Sequence, residues 1–166
     1  MSDLSDAATV RLQLADYAVA DPQNKINVIG GGLTLIGFNP QAGLSLPFAL
    51  VVWVVVPPKF YDTEAAVEIA LEDSGGGLVM VPAPVGPAQP LRIGQAVTFG
   101  KPIFAPAYVP AGQMSARAQW VLSFNTGLPL APGQRYVWRV KIDTETRPDW
   151  VEEFYIPGAA PGPVLG

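Results

Sequence analysis

Two sets of residues in this chain are of types that do chemistry. The first is a series of carboxylates: Asp16, Asp21, Asp62, Glu64, Asp73, Asp143, Glu145, Asp149, Glu152 and Glu153. Glycoside hydrolysis needs only two such groups, one protonated and one ionised, held at a set separation around the scissile bond. The second is the glycine triplet Gly30, Gly31 and Gly32 in NKINVIGGGLTLIGF, because backbone amides bared by glycine can cradle a phosphate. Histidine and cysteine are both missing from the chain. That removes Ser-His-Asp and Cys-His catalysis, imidazole acid-base chemistry, disulfides and zinc-thiolate sites.

Spacing argues against both chemistries. A phosphate loop opens a helix whose first amides point at the anion, whereas Gly30 to Gly32 lead into LTLIGF, another strand-like run. The glycines are therefore expected to mark a β-bulge, or a point where a backbone or a bulky ring comes close. The carboxylates fall at turns and on the polar phase of strands, where solvation explains them, and no calcium-loop spacing occurs. Asp16 is set apart because it counts in phase with Val10, Leu12 and Leu14 on the expected core face; there it should accept amide hydrogens at a strand end. No catalytic, metal-binding or cofactor-binding residue is expected, and the chain reads as a non-enzyme.

The elements that would position these residues are strands. Short segments of alternating apolar and polar residues are separated by Gly, Pro, Asn and Asp clusters, the pattern of an antiparallel sandwich or barrel. About nine strands are expected: TVRLQLADYAVA, the glycine-triplet stretch as one strand, FALVVWVVV, EAAVEIALED, LVMV, LRIGQAVTF, ARAQWVLSF, YVWRVKI and WVEEFYI. In EAAVEIALED the Ala, Glu and Leu content favours helix, but Val67, Ile69 and Leu71 alternate with Glu68, Ala70 and Glu72, and the period of two is preferred. Two proline-laced loops interrupt the pattern, PAPVGPAQP and residues 100 to 114, the second carrying Phe104 and Tyr108 as contact candidates. Residues 1–7 read as an N-terminal arm, 8–157 as one β-sandwich domain and 158–166 as an extended tail.

Composition bounds the partners. The ten Lys and Arg residues are scattered and net charge is -4, so no nucleic-acid footprint is visible. The opening MSDLSDAA lacks the features of a signal peptide, and Phe48 to Pro58 is too short for a membrane span. Charged residues make up 14%, well below the usual quarter, which suits a surface partly covered by something else. Phe48 to Val56 is apolar on both faces, while a sandwich strand needs one; Val51, Trp53 and Val55 on the second face are the candidate interface.

The most specific local signal is Leu130, Pro132, Gly133 and Tyr136, the L-x-P-G-x-x-Y spacing found before a late strand in fibronectin type III-like sandwiches, which looks like a tyrosine corner. With it, LADYAVADPQNKINVIGGGLTLIGF, LPFALVVWVVVP, LPLAPGQRYVWRVKIDTE and EEFYI together resemble a family of small Ig-like β-sandwich proteins from actinobacteria and their phages, over nearly the whole chain. The resemblance implies an all-β, Ig-like or fibronectin type III-like antiparallel sandwich with long Pro-rich loops and extended tails. Through the phage members it implies a non-enzymatic structural protein of the virion, assembled in the host cytoplasm: a capsid decoration or minor capsid protein. The expected partners are the major capsid protein or another virion protein and further copies of the chain, as a homo-oligomer or a repeated array. A minor tail protein, and a bacterial Ig-like module binding protein or carbohydrate, are the alternatives.

Overall fold

In the computed structural model the described residues are 2–102, 109, 110 and 112–159. The alternating Thr9–Ala20 segment forms β1, and an Asp-Pro turn returns the chain as its antiparallel neighbour β2, Ile26–Gly31. Asp21 closes that turn, its carboxylate accepting the backbone N–H groups of Gln23 at 2.9 Å and Lys25 at 2.8 Å. A hairpin of β3 (Phe38–Asn39) and β4 (Leu44–Ser45) precedes the wholly apolar β5, Phe48–Val56. Next come β6 (Glu64–Asp73), the short pair β7 (Met80–Val81) and β8 (Gln89–Pro90), and β9 (Arg92–Thr98). β10 (Ala116–Phe124), β11 (Gln134–Ile142) and β12 (Val151–Ile156) follow.

The longer strands build two four-stranded antiparallel sheets, ordered β10-β5-β1-β2 and β12-β11-β6-β9. Twelve strands stand where about nine are expected, because β3, β4 and β8, two residues each, are too short to leave a period in the sequence, while β7 lies within the expected LVMV strand. β6 is a strand despite its helix-forming residues, since Val67, Ile69 and Leu71 all face the core. The sandwich is closed by Phe48, Leu50, Val52, Val54 and Val56 of β5 against these side chains and against Tyr136, Trp138, Val140 and Ile142 of β11. Each such side chain contributes roughly 1.5–3 kcal/mol relative to staying in water.

The corner before β11 is held by hydrogen bonds. Tyr136 is buried and its hydroxyl donates to the Ala131 carbonyl at 3.1 Å; burial raises the phenol's pKa. Gly133 adopts φ +76, which a side chain disfavours, and its N–H donates to the Ile156 carbonyl at 2.7 Å. Leu130 is buried next to it, while Pro132 is exposed.

The glycine triplet does not continue one strand. β2 ends at Gly31, and beyond it the chain crosses to the other sheet, where Leu35 pairs in parallel with Tyr155 of β12. The Ile36 N–H donates to the Tyr155 carbonyl at 3.1 Å, and the Tyr155 N–H to the Thr34 carbonyl at 2.9 Å. Gly30 and Gly32 have φ of +64 and +83. The close neighbour is neither ring nor backbone: a Cβ on Gly30 would lie 2.0 Å from the Asp16 carboxylate. Asp16 itself is exposed, contrary to its sequence phase. Leu14 and Ala15 are both buried and Asp16 and Tyr17 both exposed, so the alternation of β1 slips beside the left-handed Gly30.

Residues 3–7 are a docked helix, not a free arm. α1 (Asp3–Ala7) is capped by the Ser2 hydroxyl and buries Leu4 and Ser5. Glu145 anchors it, accepting from the Ser5 hydroxyl and from the Ser2 backbone N–H at 2.7 Å. Those bonds, the Ser5 hydroxyl first, lower the Glu145 carboxyl from 4.5 to about 2. A depressed acid stabilises the fold fully above its unfolded pKa and stops doing so as pH falls through its folded one. Denaturant midpoints of the native chain should therefore fall more steeply than those of Glu145→Gln between pH 4.5 and about 2; parallel curves would remove this role.

Gly32→Ala meets no atom within 4 Å and should cost only the left-handed backbone term, about 1–2 kcal/mol in urea unfolding. Gly30→Ala should cost measurably more, and Asp16→Ala in the same chain should return the excess. Equal costs for the two glycine variants would show that the Asp16 contact carries no energy.

Candidate functional site

The second face of β5 lies on the outside of the first sheet. Val51 is fully buried there, forming a small cluster with Ala18 of β1 and Ala49, over which Ile26, Val28, Trp53 and Val121 pack. It is therefore not an accessible interface residue as the sequence suggested; neighbouring strands cover it with their own side chains. Trp53 and Val55 remain half-buried. Phe104 and Tyr108 lie outside the described residues.

Register places polar neighbours around these two. Trp53 sits between Arg11 of β1 and Gln119 of β10, and Val55 between Thr9 and Arg117. Gln119 is itself fixed, its side-chain amide donating to the Asn24 carbonyl. An open groove of about 720 Å³ runs over Arg11, Gln13, Trp53, Val55 and Arg117. Arg11 and Arg117 are exposed and, among the described residues, have no carboxylate partner. The outer face of the second sheet is the opposite case. There Arg139 pairs with Glu72 at 2.9 Å, Arg135 with Glu153 at 3.2 Å, and Lys141 and Arg92 share Glu68 at 3.4 and 3.6 Å.

The carboxylates singled out from the sequence are spread over the molecule, and several have local structural tasks. Asp73 accepts the N–H groups of Gly75 and Gly77 at its turn, Asp143 accepts the Ala66 N–H at 2.9 Å, and Asp62 pairs with Lys101 at 3.6 Å. Among the described residues no group of three acidic side chains is placed to hold a metal ion. No helix among them is long and apolar enough to cross a membrane. Arg11 and Arg117 were not picked out in the sequence, because each reads as an ordinary polar position in an alternating strand. What joins them is the register of both neighbours on β5.

One carboxylate faces inward. Glu152 lies opposite Trp138 and shares the phase of the buried Phe154 and Ile156. Burial raises its pKa, with a Leu14 backbone hydrogen bond partly opposing. The neighbouring Trp138 is fully buried and its Nε1 has no hydrogen-bond partner among the described residues.

No family model, curated protein or solved structure matches the chain.

Because the Glu152 carboxyl is raised, the folded protein holds its proton above the pH at which the unfolded chain releases it, so ionisation costs stability as pH rises. Glu152→Gln should melt higher than the native chain at pH 7, with the gap closing towards pH 4. A variant less stable at pH 7 would contradict the burial of this charge.

Proposed function

We propose that this chain is a non-enzymatic structural protein of a phage particle, a capsid decoration or minor capsid protein. On this reading it sits on the major capsid protein or another virion protein through the outer face of the sheet β10-β5-β1-β2. The observation that supports the reading is that face itself: Trp53 and Val55 at the centre of a sheet, half-buried, with no helix over them among the described residues. A partly apolar sheet face of this kind is where a protein partner gains most from excluding water. The resemblance to a family with phage members supplies the setting, and the structural duties of several carboxylates lend support to the surface as the functional element. A minor tail protein is the same reading with tails in place of heads.

The groove also favours a second reading, an Ig-like module that binds a protein or carbohydrate. Its volume falls in the range of small-ligand sites, and an indole face is a common platform for sugars and other flat groups.

Trp53→Glu separates these readings. In the first, the native protein co-sediments with purified particles and the variant loses about tenfold or more in occupancy while still unfolding cooperatively in free solution, at a somewhat lower temperature because Trp53 packs on the Val51 cluster. Absence of the native protein from particles, with a ligand-dependent rise in melting temperature instead, would move the case to the second.

A further inference from the structure

The face described above carries a charge pattern as well as an apolar centre. The chain is acidic overall, at -4, yet Arg11 and Arg117 line the groove with no carboxylate partner among the described residues, while the arginines Arg92, Arg135 and Arg139 on the second sheet all have one. An unpaired arginine beside a half-buried indole is a favoured composition for the centre of a protein interface. Its planar guanidinium is matched best by a carboxylate.

Register gives the spacing. Arg11 lies level with Trp53 and Arg117 level with Val55, on opposite sides of β5. Two strands and two residues apart, their Cα atoms are separated by about 12 Å on ordinary sheet dimensions. In an extended segment, residues i and i+4 point the same way about 14 Å apart, with residue i+2 between them. We propose that the occupant of this groove is an extended acidic protein segment of the pattern acidic-x-apolar-x-acidic. Its apolar side chain rests on Trp53 and Val55, and its two carboxylates pair with Arg11 and Arg117. The proposal rests on the reading of this face as a docking surface and adds the chemistry of what docks.

A nucleic acid would also bring negative charge, but the site is poor for one. Two arginines and a single indole offer few phosphate contacts and one stacking position, on a molecule whose net charge repels a polyanion.

Fluorescence anisotropy with three labelled probes tests this on the whole protein: the peptide Ser-Glu-Ser-Leu-Ser-Glu-Ser, its analogue with lysine at both glutamates, and a single-stranded oligothymidylate. The acidic peptide should bind about tenfold or more tighter than the lysine analogue, and weaken as salt rises from about 50 to about 500 mM. The Arg11→Glu, Arg117→Glu double variant, whose changes are at exposed positions, should fold normally and reverse the preference between the peptides. No binding of the acidic peptide, equal binding of both peptides, or preference for the oligonucleotide overturns the proposal. Particle co-sedimentation keeps the two ideas apart: loss in Trp53→Glu but not in the double arginine variant leaves docking at this face standing and removes acidic recognition.

Discussion

The strand β5 has no polar side chain on either face, and the rest of the molecule is arranged around hiding both. One face is covered in the usual way for a sandwich, by β6 and β11 of the opposite sheet. The other has no third layer among the described residues. Its deepest residue, Val51, is sealed by side chains from the adjoining strands, with Ala18, Ile26 and Val28 on one side and Val121 on the other. The seal stops short of Trp53 and Val55, which stay half in water. This incomplete cover is the physical reason to look for a partner there.

The edges of the sandwich follow from the same need to close. β2 is an edge strand, and continuing it would leave the β12 edge of the second sheet open, a liability for any sandwich. Instead the chain uses Gly30 and Gly32 in left-handed conformations to leave the first sheet and lay residues 34–36 along β12. The missing side chain at Gly30 also makes room for the Asp16 carboxylate. On the β11 side of the same end of β12, the Ile156 carbonyl accepts from Gly133 beside the Tyr136 corner, so the C-terminal end of the last strand is held on both edges by loops that cross between sheets.

Local pattern made much of this legible. The bounds of β5 can be read directly from its apolar run, β1 from its alternation, and the L-x-P-G-x-x-Y spacing marks the turn into β11. What could not be read depended on pairing between distant segments. The switch after Gly31 is set by β12, over a hundred residues away in sequence, and the phase slip at Asp16 by the conformation of the glycine opposite. The burial of Val51 depends on side chains from three other strands. Likewise Arg11 and Arg117 become neighbours of one groove only once β1 and β10 are both in register with β5. Trp53 and Val55 were visible from the apolar run alone, but their charged frame was not.

The proposed function requires that a partner in the assembled particle exclude water from the outer face of the first sheet. Hydroxyl-radical footprinting of purified particles beside the free protein measures this directly, with Met80, exposed on the short strand β7, as the internal reference. The account predicts that oxidation of Trp53 falls severalfold relative to Met80 on assembly. Equal labelling of Trp53 in the free and the assembled protein would contradict it.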